Sequence, residues 1–182
     1  MRKLAVLFIL AVVVTAAVYG YYLYKQDKQE DLVGEEASGG DAVTLVDLDI
    51  RLLELGGATK RLTEYTDSIL FLNFWATWCG YCEKEMPDLL RLDRQMKEEG
   101  IGRVLAIDVN EKEAVVREYI DEMGFSELTV LLDLKGEAAQ LFDIQGYPTT
   151  FAFKDGVLVD YKVGMMTWQD MEGMLEKAKQ GI

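Results

Sequence analysis

The chain contains no histidine, and that absence alone removes several chemistries. Serine–histidine and cysteine–histidine nucleophile systems, histidine-ligated zinc or iron, and histidine proton shuttles all need the missing imidazole. Cysteine is nearly absent too, with two among 182 residues, so a zinc site built from cysteines alone is excluded within one chain. Positive charge is scarce: 19 Lys and Arg stand against 32 Asp and Glu, a formal net charge of -13. Such a surface repels nucleic acid, and its ordinary effect is to keep a protein solvated. What remains is chemistry done by two thiols and by carboxylates, with no cofactor called for.

The length allows one ordinary domain and an appendage. The appendage is N-terminal. Arg2 and Lys3 precede residues 4–23, a run without a charged side chain. Twenty helical residues span roughly 30 Å, the hydrocarbon thickness of a bilayer. Tyr19, Tyr21, Tyr22 and Tyr24 gather at its far end, where such rings favour the membrane interface. A retained anchor over residues 1–24 and a cleaved secretory signal, with small residues at Ala16 and Ala17, both fit. The run exceeds the typical ~7–15-residue signal core, which favours the anchor. A buried core helix fits less well, because the segment is apolar on every face. With no cysteine nearby, a lipid-modified cysteine anchor is excluded. Arg2 and Lys3 favour a cytoplasmic N-terminus, although Lys25 and Lys28 dilute the bias. The globular part is then expected outside the cytoplasmic membrane. Residues 25–41 are polar, acidic and glycine-containing, and read as a flexible tether to a domain over 42–182.

Within that domain, apolar alternation predicts strands at 42–49 and 51–55, an N-terminal hairpin ahead of the main fold, with Gly56-Gly57 a turn. Residues 69–75 form a compact apolar run, the pattern of a strand buried on both faces. A helix is expected over 79–98, kinked at Pro87. A strand at 103–109 follows, then a helix over 111–123 with Val115, Tyr119 and Met123 on its apolar face. A strand at 129–132, a short helix at 136–142, a hairpin of 149–153 with 157–163, and a last helix capped by Thr167 complete the pass. Strands alternating with helices, then a hairpin and a closing helix, give an α/β fold: a central mixed sheet covered on both faces.

Cys79 and Cys82 carry the chemistry. Two cysteines separated by two residues can close a disulfide across one helical turn. Cys79 follows a buried strand and a short turn, which places it at a helix N-terminus. There, unpaired N–H groups and the helix dipole stabilise a thiolate. Such sites lower a cysteine pKa from about 8.5 to roughly 3.5–7.5. Cys82, one turn further in, suits the resolving role: attack by one thiol, a mixed disulfide, then displacement by the other. A purely structural disulfide is the plainer alternative, but so small a loop restrains the unfolded chain little. A metal site would need two further ligands, from carboxylates or a second chain.

The segment from Phe74 to Cys82, followed by Glu85-Met86-Pro87, resembles the active site of the thioredoxin superfamily, and within it the membrane-anchored TlpA/ResA-like branch. Gly146-Tyr147-Pro148-Thr149-Thr150-Phe151 resembles the family's cis-proline loop. The resemblance implies a thioredoxin-like fold, with the helix and strand at 111–132 as the branch insertion. It implies that Tyr147, Pro148 and Thr149 face the dithiol and bind substrate backbone, with Trp78, Gly80 and Tyr81 on the substrate side. Where plain thioredoxin has a buried aspartate, this chain has Asn73, which cannot titrate. Glu85 matches the branch's glutamate three residues after the second cysteine and is expected to relay a proton or tune the dithiol; the plainer alternative is a solvated glutamate beside Glu83 and Lys84. Gly80-Tyr81 departs from the branch, which usually has proline second, and leaves the direction of electron flow open. The implied activity is an extracytoplasmic thiol–disulfide oxidoreductase that reduces exported proteins such as apocytochrome c and is itself reduced by a membrane thiol–disulfide carrier. An oxidant or isomerase, or a thioredoxin-like binding module without turnover, are the alternatives. A peroxidase fits less well, because Thr77 and Cys79 lack the Thr-x-x-Cys spacing. The expected state is a monomer.

Overall fold

The computed structural model describes residues 44–45, 50–66 and 68–181. The anchor and tether expected over 1–41 lie outside the described residues, as does the 42–49 strand apart from Thr44 and Leu45. The described residues belong to a compact unit spanning Ala42–Ile182.

Seven strands make one mixed sheet: β1 (Arg51–Glu54), β2 (Thr59–Arg61), β3 (Ile69–Trp75), β4 (Gly102–Val109), β5 (Thr129–Asp133), β6 (Thr149–Lys154) and β7 (Val157–Val163). Their spatial order is β2-β1-β5-β4-β3-β6-β7. The central trio β5, β4 and β3 is parallel; the flanking pairs are antiparallel. Four α-helices cover the sheet: α1 (Gly80–Glu99), α2 (Glu113–Met123), α3 (Glu137–Leu141) and α4 (Trp168–Gln180). The observed hairpin turns at Gly56-Gly57, where Gly57 N–H donates to the Glu54 carbonyl at 2.9 Å. It joins β1 to β2, a three-residue strand too short and polar to show an apolar pattern.

Every residue of β3 is buried, because each of its faces meets a separate core. Ile69, Phe71 and Trp75 face α1, α2 and α4, against Met86, Leu89, Met96, Ile120, Met171 and Leu175. Leu70, Leu72 and Phe74 face the other way, toward Leu45, Leu62 and α3. Phe142 closes that second core, its ring centroid 5.1 Å from Phe74 and 5.0 Å from Phe151. Asn73 shares the α1 face with the odd-numbered residues, so the alternation of a strand aims one polar side chain at the helix that carries the cysteines.

Helix α1 runs unbroken through Pro87 and ends at Gly100, which adopts the left-handed conformation that a Cβ disfavours. The expected apolar face of α2 is corrected. Val116 and Ile120 are buried, whereas Val115 and Met123 are 44% and 41% exposed. Spacing of four fits either row of the helix. The row one residue on, flanked by the half-buried Tyr119, is the one that docks. Thr167 caps α4 as expected, its hydroxyl accepting from Asp170 N–H while the Asp170 carboxylate accepts from Thr167 N–H at 2.8 Å.

Gly102 opens β4 opposite Ile69, and a Cβ on it would lie 1.9 Å from the Ile69 carbonyl oxygen. Gly102→Ala must therefore push β3 and β4 away from each other, and about 2–3 kcal/mol of stability should be lost. Gly173, inside α4 with open space around it, should behave oppositely. Gly173→Ala is expected to gain about 0.4–1 kcal/mol. Thermal melts of the two variants should move in opposite directions from the wild type.

Candidate active site

The site forms where β3 ends and α1 begins. The chain leaves β3 at Trp75 and turns through residues 76–78, with Cys79 N–H donating to the Ala76 carbonyl at 3.1 Å. Cys79 is the N-cap of α1, and its sulfur accepts the Cys82 backbone N–H at 3.2 Å. The two cysteines form a disulfide, with Cα atoms 5.2 Å apart. A thiolate at Cys79 would receive the same N–H together with the positive end of a 20-residue helix. Both sulfurs belong to the buried core on the α1 face, Cys82 more deeply than Cys79.

Glu85 is not solvated among its charged neighbours; it is 1% exposed. One turn beyond Cys82, its carboxylate lies under α1 with both oxygens engaged. Oε1 accepts from Asn73 Nδ2 at 2.7 Å, and Oε2 accepts from Met166 N–H at 2.7 Å. Asn73 uses its other hydrogen on Thr150 Oγ1, at 2.9 Å. Burial pushes the Glu85 carboxyl up to about 7; the Met166 and Asn73 donors pull the other way, as does Lys162, and Asp88 adds to the rise. At neutral pH this group divides between acid and base.

The second wall comes from the loop before β6. The Tyr147–Pro148 bond is cis. Thr149 pairs with Phe74, so Pro148 falls beside the end of β3 that leads into the cysteine turn. Thr149 Oγ1 donates to the Gly146 carbonyl at 2.8 Å, and Gly164 N–H donates to the Pro148 carbonyl at 2.7 Å. Tyr147 meets Trp78 edge-on, ring centroids 5.7 Å apart, which brings the two loops together directly. Trp78 is 71% exposed and Tyr81 64% exposed, while nothing lies within 4 Å of a Cβ built on Gly80. The dithiol rim thus carries two exposed aromatic side chains beside bare backbone, with Lys84 Nζ 5.4 Å from the Tyr81 ring centroid.

The structure brings in residues that spacing does not single out. Asn73 stands out in the sequence only for what it cannot do, yet its amide holds Glu85. Met166 acts through its backbone, invisible to side-chain reading. Thr77 is gripped by Glu111, which accepts its N–H at 2.6 Å and its O–H at 2.7 Å. Asp108 is buried in β4, where a carboxyl inside the apolar run from Val104 to Val109 is the available signal.

Comparison with known proteins agrees with this geometry. The model of the AhpC/TSA family matches residues 42–162. The chain belongs to that family. A thiol-disulfide oxidoreductase, ResA, of Bacillus thuringiensis (strain Al Hakam) is 30% identical over 182 residues, covering 97% of this chain and 98% of that one. ResA of Geobacillus kaustophilus (strain HTA426) is 33% identical over 132 residues, covering 72% and 75%. The crystal structure of a protein described as a thiol:disulfide interchange protein, DsbE, from Chlorobium tepidum superposes with a TM-score of 0.67 at 26% identity, over 79% of this chain and 98% of that one. The fold is thioredoxin-like, and the protein is a thiol–disulfide oxidoreductase of the ResA type.

The raised Glu85 carboxyl has a consequence for stability. Between about pH 4.5 and 7 the unfolded chain has lost this proton while the native chain keeps it. Stability contributed by the proton is therefore complete at low pH and is lost as pH rises through about 7. Asp108 adds a loss of the same sign, extending to about pH 8. In denaturant titrations of the oxidised protein at pH 5 and pH 8, Glu85→Gln should shrink the pH-dependent loss by about 2–3 kcal/mol. An unchanged loss would mean that Glu85 titrates as an ordinary glutamate.

Proposed function

We propose that this oxidoreductase works as a membrane-tethered reductase of disulfides in exported proteins. The observation that carries the reading is the Cys79–Cys82 pair across the first turn of α1, backed by a buried, hydrogen-bonded Glu85. In the reduced enzyme, the Cys79 thiolate attacks a substrate disulfide and expels one substrate sulfur as a thiolate, which takes up a proton. Glu85 as carboxylate receives the proton of Cys82. The Cys82 thiolate then attacks Cys79 Sγ, closing the enzyme disulfide and expelling the second substrate thiolate. Two electrons pass to the substrate, and the enzyme leaves oxidised, in the state seen here. A membrane thiol–disulfide carrier returns the electrons by the same exchange in reverse. Trp78, Gly80 and Tyr81 offer the rim on which substrate rests, and Tyr147, cis-Pro148 and Thr149 present backbone for an extended segment.

The uncharged run at residues 4–23 supports export and tethering: residues 1–24 serve as anchor, 25–41 as tether, and 42–182 as the catalytic domain at the extracytoplasmic face of the cytoplasmic membrane. Apocytochrome c is the substrate that the ResA-like character favours. Gly80-Tyr81 between the cysteines keeps an oxidant or isomerase as the second reading. The potential separates them, since about -270 mV fits a reductase and about -120 mV an oxidant.

Cys82→Ser should accumulate mixed disulfides through Cys79 when expressed in full length. Mass spectrometry of the trapped species should return exported cysteine proteins, with c-type apocytochromes among them. An empty trap would point to a binding module without turnover.

A further inference from the structure

Glu85 serves Cys82 from beneath α1; a second carboxyl assembly, at the end of β4 and on its connection to α2, has no role in that relay. We propose that Asp108 and Glu111 form a carboxyl pair that positions the active-site turn, Glu111 clamping Thr77 and a buried, neutral Asp108 leaving that clamp undisturbed.

The clamp is explicit in the geometry. Glu111 lies on the connection between β4 and α2 and commits both carboxylate oxygens to one residue: Oε2 to Thr77 N–H and Oε1 to Thr77 O–H. Thr77 stands two residues before Cys79 and inside the turn closed by the Cys79 N–H···Ala76 bond. Hydrogen bonds to a carboxylate acceptor are the stronger kind. Trp78 and Gly80 on either side of the first cysteine are both exposed, so Thr77 is where the turn is fastened.

Asp108 explains why the fastening responds to pH. It is buried at the end of β4 beside Trp75 in the sheet, and among the described residues neither carboxyl oxygen has a hydrogen-bond partner. The groups facing it are all acidic or neutral: Glu111 on the following connection, Asp133 at the end of β5, and Tyr147 in the loop before β6. Asp133 is occupied, its Oδ2 accepting Ala139 N–H at 2.8 Å. An ionised Asp108 would be a buried charge beside two other carboxyls, so it keeps its proton. Burial first, then the neighbouring Glu111 carboxyl, push it up to about 8; the Glu111 backbone N–H pulls the other way, and Asp133 adds to the rise. Once Asp108 ionises, its repulsion falls on the group that grips Thr77, and the turn loosens at the base of Cys79.

The inference rests on Cys79 as the attacking thiol, but its test needs no protein substrate. In a Cys82→Ser background Cys79 is the sole thiol, and its alkylation by iodoacetamide can be followed across alkaline and acidic buffers spanning the Asp108 transition near pH 8. Above that transition the parent protein should fall at least threefold below the curve of a single thiol ionisation. Asp108→Asn, which stays neutral at every pH, should follow a single ionisation. Glu85 is present in both, so their difference isolates Asp108. Thr77→Val should lower the rate at neutral pH about threefold and make Asp108→Asn silent, whereas Thr77→Ser should restore the parent rate. Superposable profiles for the parent and Asp108→Asn would overturn the proposal. So would a Thr77→Val protein that reacts like the parent, a readout that survives if Asp108→Asn fails to fold. Failure of either kind leaves trapping by Cys82→Ser unaffected, so the two readings fall separately.

Discussion

The site depends on one carboxylate taken out of water. Glu85 is a member of α1, yet its two oxygens are bound by Asn73 from the central strand and by the backbone of Met166 from the segment before α4. Three segments of the chain, with Asn73 12 and Met166 81 positions from Glu85, are fixed to one another at a single group. An ionised group held this deeply is stable only while its donors remain in place, and breaking such an arrangement from one side destabilises far more than the intact arrangement stabilises. The register of α1 over the sheet, and hence the position of Cys79 and Cys82 at its first turn, is coupled to that constraint. Structure and proton chemistry share the same atoms.

The cysteine turn is thereby held between two acids of different character. Glu85, on the α1 side, has two good donors and a pKa near neutrality. Glu111, on the side of β4 and α2, is engaged by Thr77 and leans on a neighbour that prefers to stay neutral. Neither acid occupies the position of the titrating aspartate of plain thioredoxin, where this chain has Asn73. The asparagine is therefore more than a loss. It converts that position from a proton carrier into a donor that orients one.

Much of this is legible in the chain. The Cys-x-x-Cys spacing after a two-sided strand dictates a helix-capping sulfur, because the strand must end, the turn is short, and the helix begins where its N–H groups are unpaired. The unbroken apolar run of β3 and the hairpin around Lys154-Asp155-Gly156 mark the middle of the sheet and one flank. The face of α2 is misread because Val115 and Val116 are chemically alike, and only the sheet decides which is covered. β2 goes unseen because Thr59-Lys60-Arg61 has no apolar side to bury. The grip of Glu111 on Thr77 is unreadable for a different reason: the partners are 34 residues apart and meet only because β3 and β4 are neighbours in the sheet. Asp108 is more accessible, since a lone carboxyl between Ile107 and Val109 contradicts its strand and marks a site by that contradiction.

The same short β2 shapes how the sheet meets other chains. A sheet edge offers unpaired N–H and C=O groups that any stray extended segment can zip onto. Here that edge is three residues long, follows a glycine pair and carries Lys60 and Arg61, with Lys60 leaning on Glu54 at 3.8 Å. A thiol–disulfide oxidoreductase that acts on protein disulfides meets such segments in its substrates. At this edge of the sheet, a short and basic border gives them little to template on.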